Sequence, residues 1–121
     1  MPLYLNRIIL FTPDVNLLKN FYQQHFGLQI VEETAGEWAV LKAGNCELAL
    51  HKIGAGFETV ETNITNTKLV FETDEDLMAL REKLLMEGVA LGEVKSFDGY
   101  PNLFCDGNDP EGNVFQLTGN R

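Results

Sequence analysis

Few residues in this chain can carry chemistry, and they occur singly. Glu47 is the polar member of the apolar run Cys46-Glu47-Leu48-Ala49-Leu50, and Gln116 is that of Val114-Phe115-Gln116-Leu117. His51 can act as a general acid or base near neutral pH. It stands about 13 Å from Glu47 along an ideal strand, which makes a lone rim histidine the plainer reading. His25, near a helix end, reads as solvated or as a partner of the helix dipole. Trp38 can stack a ligand or fill a core or rim position. Tyr100, Asp98 and Asp106 flank the loop expected before the last strand, where they can rim an opening. The two cysteines, Cys46 and Cys105, have neither disulfide-frame nor zinc-site spacing and read as reduced structural thiols. No Ser-His-Asp set, phosphate loop or dinucleotide fingerprint is present.

The elements that must position these residues come in two similar sets. Residues 6–12 read as a buried strand with Arg7 near its start. Pro13-Asp14 ends it, with Asp14 as N-cap. Leu17, Leu18, Phe21, Tyr22 and Phe26 then recur at helical spacing, and Gly27 falls where a C-cap belongs. Strands are predicted over 28–33, 37–42 and 46–51, divided by Thr34-Ala35-Gly36 and Ala43-Gly44-Asn45. Thr67-Lys68-Leu69-Val70-Phe71-Glu72-Thr73 repeats the opening strand, and Asp74 is the expected second cap. Leu77, Leu80, Leu84 and Leu85 form a second helical run closed by Gly88. Strands near 89–94, 102–105 and 113–118 complete a second β-α-β-β-β unit. The last of them follows the dense turn signal Asp109-Pro110-Glu111-Gly112-Asn113. This internal repeat divides the chain into module 1 (about 4–52), a linker (about 53–66) and module 2 (about 67–119) of one domain, 1–121. Each half is too small to bury its own core, and two together can enclose a common concave surface.

A hydrophobic content of 45% and a charged content of 22% belong to a globular protein. No run approaches the roughly 18 apolar residues of a transmembrane helix, and no basic-then-apolar leader opens the chain, so a soluble cytoplasmic protein without a membrane partner is expected. Eighteen acids against nine bases give a net charge of −9, which argues against nucleic acid.

The run Pro13-Asp14, helix, Phe21-Tyr22-x3-Phe26-Gly27-Leu28, together with Asp109-Pro110-Glu111-Gly112-Asn113-Val114, resembles the vicinal oxygen chelate superfamily. Its members include glyoxalase I, extradiol dioxygenases, and bleomycin- and fosfomycin-resistance proteins. The resemblance spans essentially the whole chain. It implies an α+β fold of two βαβββ modules forming a half-open, eight-stranded, barrel-like cleft, commonly completed as a homodimer. Function does not follow from that fold, which hosts metal enzymes and metal-free binders alike.

In metal-dependent members resembling glyoxalase I, four ligands line the concavity, one from the first and last strand of each module. The resemblance carries those positions to Arg7, Glu47, Lys68 and Gln116. A guanidinium offers no lone pair, Lys ligates only after losing its proton, and Gln is a weak neutral donor. One carboxylate cannot hold a catalytic divalent ion, so no metal or other cofactor is expected. Two readings of the charges stand. Arg7, Glu47 and Lys68 pair with one another, or a surplus positive charge receives the carboxylate or phosphate of a small ligand. Strand alternation extends the lining from Arg7 to Ile9 and Phe11, from Glu47 to Ala49 and His51, and from Lys68 to Val70 and Glu72.

The expected function is metal-independent binding of a small molecule, in the manner of a sequestering resistance protein. Arg7, Phe11, Trp38, Glu47, His51, Lys68, Tyr100 and Gln116 are the candidate ligand-binding residues. The alternative is a lyase or isomerase with Glu47 as catalytic base and Arg7 and Lys68 stabilising developing negative charge. A vestigial cleft is the third possibility. Whether the protein turns over a substrate stays open at this point.

Overall fold

Each half of the chain opens with a strand that stops at a threonine. In the computed structural model, which describes residues 2, 4–54 and 67–120, β1 (Arg7–Thr12) ends where the Thr12 hydroxyl accepts from the Asp14 N–H at 2.9 Å. Asp14 caps α1 (Val15–Phe26), its carboxylate accepting from the Leu17 N–H at 3.1 Å. The helix stops at Gly27, whose φ of 68° lets its own N–H and that of Leu28 reach back to the carbonyls of Gln23 and Tyr22. Three strands follow: β2 (Gln29–Thr34), β3 (Trp38–Ala43) and β4 (Cys46–Lys52). The sheet order is β1-β4-β3-β2, with β1 parallel to β4 and the remaining pairs antiparallel.

The second half repeats this plan as β5 (Leu69–Glu72), α2 (Leu77–Met86), β6 (Ala90–Ser96), β7 (Asn102–Asn108) and β8 (Val114–Asn120), in the order β5-β8-β7-β6. The chain divides into two compact units, Met1–Val60 and Glu61–Arg121. Each is one βαβββ module of an α+β fold. No described helix is long and apolar enough to cross a membrane.

Two sequence expectations need correction. The second helix is capped by Asp76, which accepts from the Ala79 N–H at 3.2 Å, and not by Asp74. Thr73 takes the Glu75 N–H at 3.0 Å, so the turn forms as it does after Thr12, but one further residue precedes the cap and the helix. The last two strands of module 2 also run longer than expected. β7 continues through Asp106 to Asn108, which moves Asp106 from a loop onto the sheet. The expected linker falls almost wholly at 55–66, outside the described residues, although Ile53 still donates to the Thr12 carbonyl at 3.0 Å.

Each module buries one face of its sheet under its helix. Val15, Leu18, Phe21 and Tyr22 of α1 are buried, as are Ala39, Leu41, Leu48 and Leu50 of the strands it packs on. In the second module Leu77 and Leu84 of α2 are buried, with Leu69, Cys105, Phe115 and Leu117 on the strands. The opposite faces carry the polar residues, as period-2 alternation requires. Each second strand shifts register, between Ile30 and Glu32 in β2 and between Leu91 and Val94 in β6. In β6 the Gly92 carbonyl, displaced from the ladder, accepts from Arg81 Nε at 2.8 Å and Cys105 Sγ at 3.4 Å. Burial pushes the Cys105 thiol pKa up, and the Arg81 guanidinium only partly opposes it. That keeps the thiol in its inert, protonated form.

The tightest backbone approach lies at Gly107 in β7. A Cβ there would stand 2.6 Å from the Ala90 carbonyl oxygen, 2.6 Å from Phe115 Cζ and 2.7 Å from Leu91 Cδ2. One of the three is backbone in a paired strand, so the module has no cheap way to yield. Gly107→Ala is expected to lower stability by about 3 kcal/mol, read as a fall in the urea midpoint at unchanged slope. A loss below about 0.5 kcal/mol would mean that β6 and β8 are not held this closely.

Candidate functional site

The register of module 1 decides which of its polar residues meet. Arg7 stands directly opposite Glu47 across the β1–β4 pair, and Phe11 opposite His51; Trp38 stands opposite His51 across β3–β4. All five side chains therefore share one sheet face. Arg7 donates from both Nε (3.0 Å) and Nη2 (2.8 Å) to the same oxygen, Glu47 Oε1. The pair is about one-third exposed, so it fixes geometry more than it adds stability, worth about 1 kcal/mol or less. The Arg7 guanidinium carbon also lies 5.5 Å from the Trp38 ring centroid, in cation–π range. Trp38 is anchored in turn by its indole N–H, which donates to Glu32 Oε2 at 2.6 Å.

His51 sits between two rings, its centroid 5.5 Å from that of Phe11 and 5.5 Å from that of Trp38. Its Nδ1 is 2.8 Å from the Lys52 carbonyl oxygen. A carbonyl only accepts, so Nδ1 carries a hydrogen and Nε2 is the acceptor of the neutral ring. Phe11 is 64% exposed, which leaves a broad aromatic surface available to a flat ligand. Glu47 and His51 occupy opposite ends of β4, as their spacing implied, and the long Arg7 and Trp38 side chains join the two ends.

Module 2 is built differently. Lys68 lies just ahead of β5, and Gln116 pairs in register with Val70 on one side and Asp106 on the other. Asp106 is the hub. Its Oδ2 accepts from Lys68 Nζ at 2.9 Å, and its Oδ1 accepts from Gln116 Nε2 at 2.9 Å. Burial pushes the Asp106 carboxyl up, but the hydrogen bonds from Lys68 and Gln116 outweigh it and hold its pKa below the ordinary value. Tyr100 is not part of this group. It is exposed, and its ring meets Phe104 edge-on at 6.5 Å.

Sequence reasoning placed Asp106 on a rim; its role as partner to both Lys68 and Gln116 depends on the β7–β8 register, which no local signal specifies. Lys95, Phe97 and Phe104 went unnoticed for the same reason. They join Lys68, Asp106 and Gln116 around a shallow pocket of about 160 Å³ on this module.

The two sheets thus treat their cations alike. Arg7 is tied to Glu47, and Lys68 to Asp106, each within its own module. Such a donor set does not suit a divalent ion: one position is a guanidinium, one an ammonium, one an amide, and the one carboxylate is engaged by Arg7. Among the described residues no group of three His, Cys, Asp or Glu side chains comes together as a metal site.

The family model described as "Glyoxalase/Bleomycin resistance protein/Dioxygenase superfamily" matches residues 4–117. No curated protein sequence matches the chain. Among solved structures, the chain is similar to an integron cassette protein from the mobile metagenome of V. cholerae, at 24% identity and TM-score 0.75, covering 98% of this chain and 96% of that one. It is also similar to the fosfomycin resistance protein FosX from Listeria monocytogenes, at 15% identity and TM-score 0.78, covering 100% and 96%. A lactoylglutathione lyase from Agrobacterium tumefaciens matches at 16% identity and TM-score 0.75, covering 98% and 96%. At these identities the likeness to solved structures speaks for the fold alone.

Proposed function

The chain belongs to the glyoxalase/bleomycin resistance protein/dioxygenase superfamily, and from that premise we propose that it binds a small organic molecule on the polar faces of its sheets without a divalent metal. The observation that carries this reading is the arrangement on module 1. Arg7 is locked to Glu47 and lies over Trp38, while Phe11 and His51 extend the same face. A fixed cation, a fixed carboxylate and three flat rings are the parts of a recognition surface: the rings supply area at low entropic cost, and the ion pair supplies orientation. At the positions where metal-dependent relatives bear ligands, both cations are already committed to carboxylates.

A thermal-shift screen of small polar aromatics, with and without chelator, tests the reading. A true ligand at about 100 times its Kd is expected to stabilise the protein by about 2.7 kcal/mol, with the shift unchanged by chelator. Trp38→Ala is expected to weaken it by about 1–3 kcal/mol. A shift that vanishes with chelator would overturn metal independence.

The lyase or isomerase reading has one observation in its favour. Arg7 takes only Oε1 of Glu47, so Oε2 has no donor among the described residues and can face a substrate proton. Turnover of thiol adducts of α-keto aldehydes that is lost in Glu47→Gln would decide for it over sequestration.

A further inference from the structure

We propose, building on the small-molecule reading above, that the pocket of module 2 takes a single aromatic ring bearing one anionic group, with Lys95 as the anion receptor. Charges around the pocket pair off with one exception. Lys68 is held by Asp106 at 2.9 Å, and Glu93 faces Arg81 of α2 at 3.8 Å. Lys95 forms no ion pair with any described residue, although its charge is felt by Asp106. One positive charge is left over, on a side chain that lines the pocket. The overall acidity of the protein is spread over distant, screened sites and does not cancel a charge in contact with the ligand.

The apolar half of the pocket sits beside that charge. Lys95 stands directly opposite Phe104 across β6–β7, and the Phe97 ring lies 5.6 Å from Phe104, tilted by 57°. Phe97 is half-exposed, as expected of a ring waiting for a partner. The glycine at 92 leaves the wall beside Asp106 without a side chain. The space suits the ligand: a cavity of roughly 150 Å³ accepts one benzene-sized ring, so about 160 Å³ has room for a substituted six-membered ring. Asp106 and the Gln116 amide, which are locked together, stand on the side away from Phe97 and disfavour a second negative charge.

The probe is benzoate, with benzamide and acetate as its uncharged and ringless counterparts, titrated into isotopically labelled protein and followed by amide NMR. Benzoate is expected to move resonances at 92–97 and 104–106, with benzamide and acetate at least about tenfold weaker. Lys95→Gln is expected to weaken benzoate about tenfold or more, and Lys95→Arg to keep it within about threefold. Dispersed spectra report that each variant is folded. The proposal is overturned if benzoate moves none of these resonances at about 10 mM, where even millimolar affinity would fill the site. It is equally overturned if acetate binds as well as benzoate, or if Lys95→Gln binds it undiminished. Silence with benzoate beside a stabilising hit from the thermal screen removes this pocket's assignment and leaves the broader functional reading intact. Benzoate binding together with thiol-adduct turnover lost in Glu47→Gln keeps this pocket's assignment and replaces sequestration with the enzymatic reading.

Discussion

Lys68→His combined with Gln116→Glu is expected to give module 2 a site that binds Zn²⁺ with micromolar affinity, a binding free energy of about −8 kcal/mol at 1 M standard state. Positions 68, 106 and 116 all lie in module 2. Asp106 already receives both side chains, one on each oxygen, at 2.9 Å. The changes place an imidazole and a second carboxylate around it, which makes three protein ligands of the kind an open zinc site uses. Charge pushes the same way. Lys68 and Asp106 are neutral as a pair, whereas the double variant removes one positive charge and adds one negative, leaving two carboxylates that repel each other until a cation arrives. Free Zn²⁺ at about 100 times Kd would then stabilise the variant by about 2.7 kcal/mol, roughly 10 °C in melting temperature. Supporting hydrogen bonds to the new ligands have not been built, so the affinity should fall short of a mature site. Calorimetry that detects no zinc binding by a folded double variant would show that residues 68, 106 and 116 do not converge as described, and would remove the basis for treating them as a site.

The contrast between capping signals and cross-strand pairs shows where local sequence stops being informative. Asp14, Gly27 and the β-α-β-β-β repeat are written in short-range signals: a capping acid, a residue able to adopt positive φ, and hydrophobic spacing. All were legible. The Asp76 cap was not, because Asp74, Glu75 and Asp76 offer three acids in a row and the Thr73 turn selects among them. Cross-strand partners were harder still. That Glu47 meets Arg7 follows from a parallel pairing between residues 40 apart, and that Asp106 meets Gln116 follows from the length of β7. The sequence let Arg7, Glu47 and Lys68 pair with one another and offered no sign of a separate partner for Lys68. In the structure Arg7 takes Glu47 and Lys68 takes Asp106, each within its own module, and the expected end of the Asp106 strand at Cys105 falls three residues short. The β6 shift at Gly92 and the exposed Lys95 carry no sequence signature at all, because a bulge depends on its neighbours.

The Asp109-Pro110-Glu111-Gly112-Asn113 turn is the other place where one side chain carries a large share of the structure, and Asp109→Ala is expected to lower stability by about 3–4 kcal/mol. Asp109 is only 4% exposed. Its Oδ1 accepts from the backbone N–H groups of Glu111 and Asn113, both at 2.9 Å, and its Oδ2 accepts from the Asn113 side-chain amide at 2.8 Å. The backbone closes around the same residues, Asp109 N–H to the Asn113 carbonyl at 3.0 Å and Gly112 N–H to the Asp109 carbonyl at 2.9 Å, with Gly112 at φ 85°. Alanine would leave three donors facing a half-buried gap, and the lost bonds are of the stronger, charge-assisted kind. Asp109→Asn is the informative companion. It keeps an acceptor for the two backbone groups and, once the Asn113 amide turns over to accept, exchanges three charge-assisted bonds for neutral ones. Its cost should be about half that of alanine. The turn also sets the register by which Asn108 meets Val114 and Asp106 meets Gln116. A loosened turn should therefore weaken zinc binding in the 68/116 double variant as well as lower the urea midpoint. Equal costs for alanine and asparagine would assign the stability to the charge of Asp109 and not to the geometry of its bonds. A cost below about 1 kcal/mol for alanine would show that the turn holds itself, through Pro110 and Gly112, without its acid.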